Sequence, residues 1–161
     1  MPAHYPAPIQ EDVRDLLGDL LGRGVAVDKT SKLEMESDAC GLLAVYATDD
    51  GELAALTIVD CALGARAGAA LSMVPQSVAD EAIKKNELTD TLVENIREVV
   101  NIFARFLNSS RTPHVRLVKT IVLPEAMDDH VRALFLAPEF RRDFVVQIEG
   151  YGSGKFSILV A

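Results

Sequence analysis

The sequence predicts an α+β fold in which a largely antiparallel sheet is covered by helices. Helical and strand-like segments come in separate groups, not in the regular strand–helix alternation typical of a parallel sheet. A short Asp50-Gly51 turn joins two apolar runs, which is typical of an antiparallel hairpin. Of the 161 residues, 49% are apolar, enough for one hydrophobic core. We therefore expect a single domain over residues 9–161, preceded by a flexible, proline-containing segment over residues 1–8.

The first half of the chain predicts two helices and three extended segments. The expected elements are a helix over 9–21, a strand or irregular pair over 25–35, strands over 41–47 and 52–59, and a helix over 61–72. Gly22 ends the first helix, and Asp60 is placed to cap the second. The second helix is rich in alanine and glycine, so we expect it to lie close to a neighbouring element.

The second half predicts two more helices, followed by four strands. Ser77 is expected to cap a short helix that ends at Lys85, and Thr89 or Asp90 to cap a long helix over Leu88–Leu107. The expected strands are 115–122, 131–136, 144–148 and 156–160. Residues 128–130 are interpreted as a turn, residues 139–143 as a polar hairpin connection and residues 150–154 as a glycine-rich turn.

Composition excludes several classes of protein. The net charge of −8 argues against a nucleic-acid binder and against a polybasic membrane-surface protein, because both need clustered cations. No segment has the pattern of a signal peptide or a membrane span, so we expect a cytoplasmic protein. Cys40 and Cys61 are interpreted as buried thiols in a reducing compartment, with a disulfide as the alternative. No metal-ligand spacing is found.

The long helix carries polar side chains opposite a broad apolar face. At about 100° per residue, Glu98, Asn101 and Arg105 lie within about 40° of Glu94, and the apolar residues lie between about 120° and 260°. Such a row is either presented to a partner or is a solvated surface. The pairs Glu94–Arg97 and Asn101–Arg105 are also at spacings that support a helix by themselves.

The spacing Glu94-x3-Glu98-x2-Asn101-x22-Pro124 resembles a family motif. The CheC/CheX/FliY family of chemotaxis phosphatases carries Asp or Ser, x3, Glu, x2, Asn, x22, Pro. The order of the predicted elements is similar to that of the CheX branch, which has one such helix. The resemblance therefore implies a CheC/CheX-like α+β fold.

The same resemblance implies hydrolysis of the aspartyl phosphate of a response regulator. Asn101 would orient the attacking water, and Glu98 would contact a basic residue of the receiver domain. Glu94, Arg97 and Arg105 would lie at the edge of the partner. Magnesium would be carried by the regulator, so no cofactor of the chain's own is expected.

Two positions depart from the family pattern. Glu94 stands where Asp or Ser is usual, and Arg105 stands where a glycine or small residue is common. A long cation there either obstructs the partner or pairs with its phosphate or acidic rim. The alternative is therefore a non-catalytic module of the same fold that binds a receiver domain or forms a homodimer through a sheet edge.

Overall fold

The computed structural model describes residues 5–161. The elements are α1 Gln10–Leu21, β1 Val25–Lys29, β2 Gly41–Thr48, β3 Leu53–Asp60, α2 Cys61–Leu71, α3 Gln76–Lys85, α4 Asp90–Ile102, a 3₁₀ segment Phe103–Leu107, β4 Val115–Leu123, α5 Asp129–Leu136, β5 Phe140–Ile148 and β6 Gly152–Val160. The α+β prediction is confirmed, and so is the hairpin of β2 and β3.

The strands form one six-stranded sheet in the order β1-β5-β6-β3-β2-β4. Every neighbouring pair is antiparallel, as the sequence predicted. Strands β1 and β4 are the two edges. The predicted extended segment over 25–35 is confirmed only for β1, since residues 31–39 form no strand.

Both faces of the sheet are covered, so every residue of β2 is buried. Leu42, Ala44 and Tyr46 belong to the larger core beneath α1, α2 and α4. Leu43 and Val45 point to the opposite face and join a smaller cluster with residues of α5. This alternation follows from the two-residue period of a strand.

Residues 131–136 form a helix, so the strand predicted there is wrong. The Asp128 side chain accepts a hydrogen bond from the Val131 backbone N–H at 2.9 Å, which caps α5. Val131 and Leu134 are buried three residues apart, which is helical spacing. The pair Asp128-Asp129 is therefore a helix start, not a simple turn.

The prediction of two free thiols is also wrong, because Cys40 and Cys61 are bonded, with their Cα atoms 5.0 Å apart. Gly41 pairs with Asp60 in the β2–β3 register, and the two cysteines lie one residue outside that pair. The hairpin register therefore brings together two cysteines that are 21 residues apart in sequence.

Two predicted caps are confirmed and one is wrong. Asp60 accepts from Leu63 N–H at 2.8 Å, and Thr89 accepts from Leu92 N–H at 3.3 Å. The N-cap of α3 is Pro75, with Ser77 inside the helix.

The glycine-rich segment 150–154 is partly strand, since β6 starts at Gly152. A Cβ atom on Gly154 would lie 2.3 Å from the Leu63 backbone nitrogen, so only glycine lets β6 pass this close beneath α2.

The polar residues before Phe144 belong to strand β5 instead of a hairpin connection. Arg141 and Asp143 form an ion pair at 2.9 Å, with side chains only 16% and 9% exposed. Asp143 also accepts from the Leu33 backbone N–H at 2.8 Å and from the Ser157 hydroxyl. Arg141 donates to the Leu33 carbonyl. The pair therefore holds the irregular segment 31–39 against the sheet.

Part of the predicted flexible segment 1–8 contacts the domain. Residues 1–4 lie outside the described residues. The carbonyls of Ala7 and Pro8 accept hydrogen bonds from Arg142, and Pro8 is buried.

We expect the Arg141–Asp143 pair to behave as a buried ion pair. Asp143→Ala leaves the Arg141 cation without its partner and should lower the free energy of unfolding by about 3 kcal/mol. Adding Arg141→Met should restore part of that loss, because no uncompensated charge remains. Denaturant unfolding of the single and double variants measures this. The exposed Arg14–Asp15 pair is the control, and Asp15→Ala should cost less than about 1 kcal/mol.

The Asp143 carboxylate should also make the free energy of unfolding depend on pH. Burial opposes ionisation of Asp143, but hydrogen bonds from Arg141, Leu33 N–H and Ser157 outweigh it and hold the pKa below its ordinary value. The folded state therefore binds this proton less readily than the unfolded state, and the stabilisation is lost as pH falls below about 4. The stability difference between wild type and Asp143→Asn should shrink over that range. A difference that stays constant from pH 7 to pH 3 would contradict the assignment.

Candidate functional site

Helix α4 has one buried face and one exposed face. Leu92, Val93, Ile96, Val99 and Val100 are buried, as the periodicity predicted. The opposite face carries Glu94, Glu98 and Asn101, which we call the exposed row. The helix starts at Asp90 because Thr89 caps it.

Four hydrogen bonds connect α4 to three neighbouring elements, α2, β2 and β4. Asn95 donates to the Gly68 carbonyl at 2.8 Å and to the Ser72 hydroxyl at 2.7 Å, which ties α4 to α2. The buried Tyr46 hydroxyl donates to the Val100 carbonyl at 2.6 Å, which ties α4 to β2. Burial raises the pKa of Tyr46, so it stays a donor at neutral pH.

Arg97 makes the third connection. Its Nε donates to the Thr120 hydroxyl of β4 at 2.8 Å. The helix is therefore held from the sheet below and from both sides, and its exposed side chains stand on a rigid mount.

Helix α2 lies very close to α4 because its contact residues are small. A Cβ atom on Gly68 would lie 2.9 Å from the Leu92 carbonyl oxygen, so a side chain there would push the helices apart. Gly64 likewise faces Leu88. The alanine- and glycine-rich pattern predicted close packing, and the partner is α4.

The exposed row is not used by the fold. Within residues 5–161, no hydrogen bond or ion pair of the structure involves the side chains of Glu94, Glu98 or Asn101. Residues three apart on a helix have Cβ atoms about 5–6 Å apart. Glu98 and Asn101 therefore present a carboxylate and a carboxamide side by side to solvent.

Arg105 is exposed but does not continue this line. The predicted single helix over 88–107 is wrong at its end, because residues 103–107 form a 3₁₀ segment. At about 3.0 residues per turn, the three steps to Arg105 rotate it by about 60° from the position that an α-helix would give. Arg105 therefore lies beside the row, toward α2.

Asn108 accounts for the end of the helix. Its amide nitrogen donates to the Ala104 and Val115 carbonyls, and its amide oxygen accepts from the Val115 N–H at 2.8 Å. The side chain thus links the last turn to the start of β4.

Pro124 does not lie beside Asn101. Arg97 contacts Thr120, and Asn108 contacts Val115, so β4 runs antiparallel to α4. Pro124 comes four residues after Thr120, which is about 13 Å along an extended chain, and it therefore lies toward the start of α4. It lines a cavity of about 360 Å³ with Met127 and Phe135 on the opposite face of the sheet. The motif spacing therefore reflects the path of the chain, not a contact.

Of the residues that position α4, Arg97 was predicted only as a partner contact, and Asn95 and Tyr46 were not predicted at all. Asn95 lies between the polar and apolar faces, at about 100° from Glu94. An amide at such a boundary is the available signal, since it can reach a neighbouring backbone carbonyl. Tyr46 offers a weaker signal as a polar-tipped aromatic in an apolar strand.

Residues 5–161 contain neither a metal-binding cluster nor a membrane-spanning helix. No group of three or more His, Cys, Asp or Glu side chains is arranged to hold a metal ion. None of the helices in this range has the length and apolarity needed to cross a bilayer.

The sequence matches no family model and no curated protein. Solved structures are similar in fold. The FliM middle domain of Vibrio alginolyticus is 15% identical with a TM-score of 0.61, over 94% of this chain and 87% of that one. FliY of Thermotoga maritima is 13% identical with a TM-score of 0.56, over 94% and 89%.

A third structure is the CheX–CheY–BeF₃–Mg²⁺ complex of Borrelia burgdorferi. It matches with 12% identity and a TM-score of 0.51, over 91% of this chain and 90% of that one. At these identities the likeness establishes the fold. The chain therefore has the fold shared by CheX, FliY and the FliM middle domain, which confirms the resemblance to the CheC/CheX/FliY family.

Proposed function

We propose that this chain binds the receiver domain of a phosphorylated response regulator and hydrolyses its aspartyl phosphate. The observation that carries the proposal is the Glu98–Asn101 pair, which is exposed, takes no part in the fold and stands on a helix fixed from three sides. A cytoplasmic location follows from such a partner.

Asn101 is the group that orients water. A carboxamide both donates and accepts hydrogen bonds, so it can hold a water molecule against a phosphoryl group. The water oxygen attacks phosphorus as the bond to the aspartate oxygen breaks, and the products are inorganic phosphate and a free carboxylate. Phosphoryl transfer depends mainly on positioning and charge stabilisation, which a rigid helix supplies.

Glu98 is the group that fixes the partner. An exposed carboxylate next to Asn101 can pair with a cation near the phosphorylated aspartate of the receiver. Glu94 adds a second carboxylate one turn earlier, and Arg97 provides a cation on the β4 side. Magnesium would be bound by the receiver, so this chain supplies no metal ligand.

The similar structures support the choice of partner. CheX of Borrelia burgdorferi was solved in complex with CheY, BeF₃ and Mg²⁺, and its fold covers 91% of this chain. A receiver domain is therefore the partner that we propose for the exposed row.

Asn101→Ala should abolish most of the activity. We expect phosphate release from a receiver domain phosphorylated with acetyl phosphate and Mg²⁺ to fall about 100-fold, the usual effect of losing one positioning hydrogen-bond group. Binding to the same receiver loaded with BeF₃ should change little. Gln147→Ala, which removes an exposed carboxamide from β5, is the matched control. If the wild-type protein releases phosphate no faster than the receiver loses it spontaneously, the proposed phosphatase activity is wrong.

Glu98→Gln should act on affinity instead of on the chemical step. We expect KM for the phosphorylated receiver to rise about tenfold and its salt dependence to weaken, since one charge pair is lost. Glu11→Gln, an exposed glutamate on α1, should leave both unchanged. A large fall in kcat with constant KM would instead place Glu98 in the chemical step.

The second candidate function is a non-catalytic module that binds a receiver domain or pairs with a second copy of itself. The observation that favours it is Arg105, a long exposed cation four residues after Asn101. Two of the similar structures, FliM–SpeE (TM-score 0.62) and FliG–FliM (TM-score 0.58) of H. pylori, are protein–protein complexes.

Arg105→Ala distinguishes the two candidates. Because the 3₁₀ segment places Arg105 beside the row, we expect phosphate release to stay within about twofold of wild type, as for an ordinary surface substitution. Arg111→Ala is the matched control, an exposed arginine beyond the helix. A large gain in hydrolysis would show that Arg105 obstructs the partner, and would favour the module.

A further inference from the structure

Met73 is the most exposed large apolar side chain within residues 5–161, at 78% of its full accessible surface. Its backbone is also unusual, with φ at +58°. Glycine or asparagine adopts that conformation more easily than methionine does. The turn after α2 therefore holds a long apolar side chain in water at a position where a smaller, polar residue would fit better.

The packing of α2 on α4 places Met73 level with the exposed row along the helix axis. Gly64 faces Leu88, Gly68 faces Leu92, and Ser72 binds Asn95, so the two helices run parallel with a nearly constant offset. Met73, the residue after Ser72, therefore lies level with the turn of α4 between Asn95 and Glu98.

The turn that carries Met73 is well anchored. The Val74 N–H donates to the Ala69 carbonyl at 2.9 Å, and the Val74 carbonyl accepts from the Tyr151 hydroxyl at 2.6 Å. The Met73 N–H donates to the Ala70 carbonyl at 3.2 Å. These bonds fix the backbone on both sides of Met73, so its side chain is held outward instead of folding back onto the core.

We propose that Met73 is an apolar contact residue for the same receiver domain that Glu98 and Asn101 engage. This inference rests on the proposed function and adds a second element, α2, to the binding surface. A flexible, polarisable methionine suits an apolar depression on a partner, and polar groups at its edge exclude water from the contact. Backbone strain of this kind persists where function requires the residue.

A purely local role makes a different prediction. If Met73 only ends the turn, a residue better suited to positive φ would stabilise the protein and leave binding unchanged. If Met73 contacts the partner, the same substitution would stabilise the protein and weaken binding. The two readouts therefore move in opposite directions only under the proposal.

The test uses Met73→Asn and Met73→Leu in the full chain. The probe is a single-domain receiver protein from the same genome, trapped with BeF₃ and Mg²⁺, and binding is measured by calorimetry. Met73→Asn should raise Tm by about 2 °C, because asparagine tolerates positive φ. It should raise the Kd for the receiver about tenfold, and Met73→Leu should leave this Kd near the wild-type value.

Val78→Ser is the matched control. Val78 is another exposed apolar residue, 37% exposed on the neighbouring helix α3, and its replacement should not change Kd. If Met73→Asn binds like wild type while Glu98→Gln still weakens binding, the proposal for Met73 is wrong and the proposed function stands. If the wild-type protein does not bind the receiver, the proposal for Met73 and the proposed function are both wrong.

Discussion

The close packing of α2 against α4 is the constraint on which the candidate site depends. Gly68 allows the two backbones to meet, and Asn95 then reaches across to the Gly68 carbonyl and to Ser72. This contact fixes the rotation of α4 about its own axis. The rotation decides that Glu98 and Asn101 face solvent, and the parallel run of the two helices decides that Met73 lies at the same level along the helix axis. A bulkier residue at position 68 would disturb all of these together.

The parts of the fold that local patterns determine were predicted well. The buried face of α4, the Asp60 and Thr89 caps and the antiparallel hairpin all follow from residues close together in sequence. The errors arose where a short local pattern fits two structures or where distant contacts decide. Residues 131–136 form a short, mostly apolar segment, so periodicity alone does not distinguish a strand from a helix there. The Asp128 cap determines that the segment is a helix. The pairing of Cys40 with Cys61 required the hairpin register, which a count of cysteines does not provide.

The candidate site shows the same division. The exposure of Glu94, Glu98 and Asn101 follows from helical periodicity and was predictable. The turn at Arg105 was not, because Asn108 ends the helix through bonds to β4. Pro124 illustrates a further limit, since a fixed distance along the chain does not by itself place two residues in contact.

On α4, the two side chains that we propose for catalysis and for fixing the partner are different residues from those that hold the fold, and only Arg97 is assigned to both roles. Asn95 and Arg97 hold the helix, and the backbone at Val100 accepts the bond from Tyr46, whereas the side chains of Glu98 and Asn101 make no hydrogen bond within residues 5–161. A fold can be retained at 12–15% identity because its packing tolerates many sequences, and such a fold carries unrelated functions. Function must then lie in groups that packing does not require. The carboxylate and carboxamide of the exposed row meet that condition, so substitutions of them test the proposed binding and catalysis with little contribution from stability.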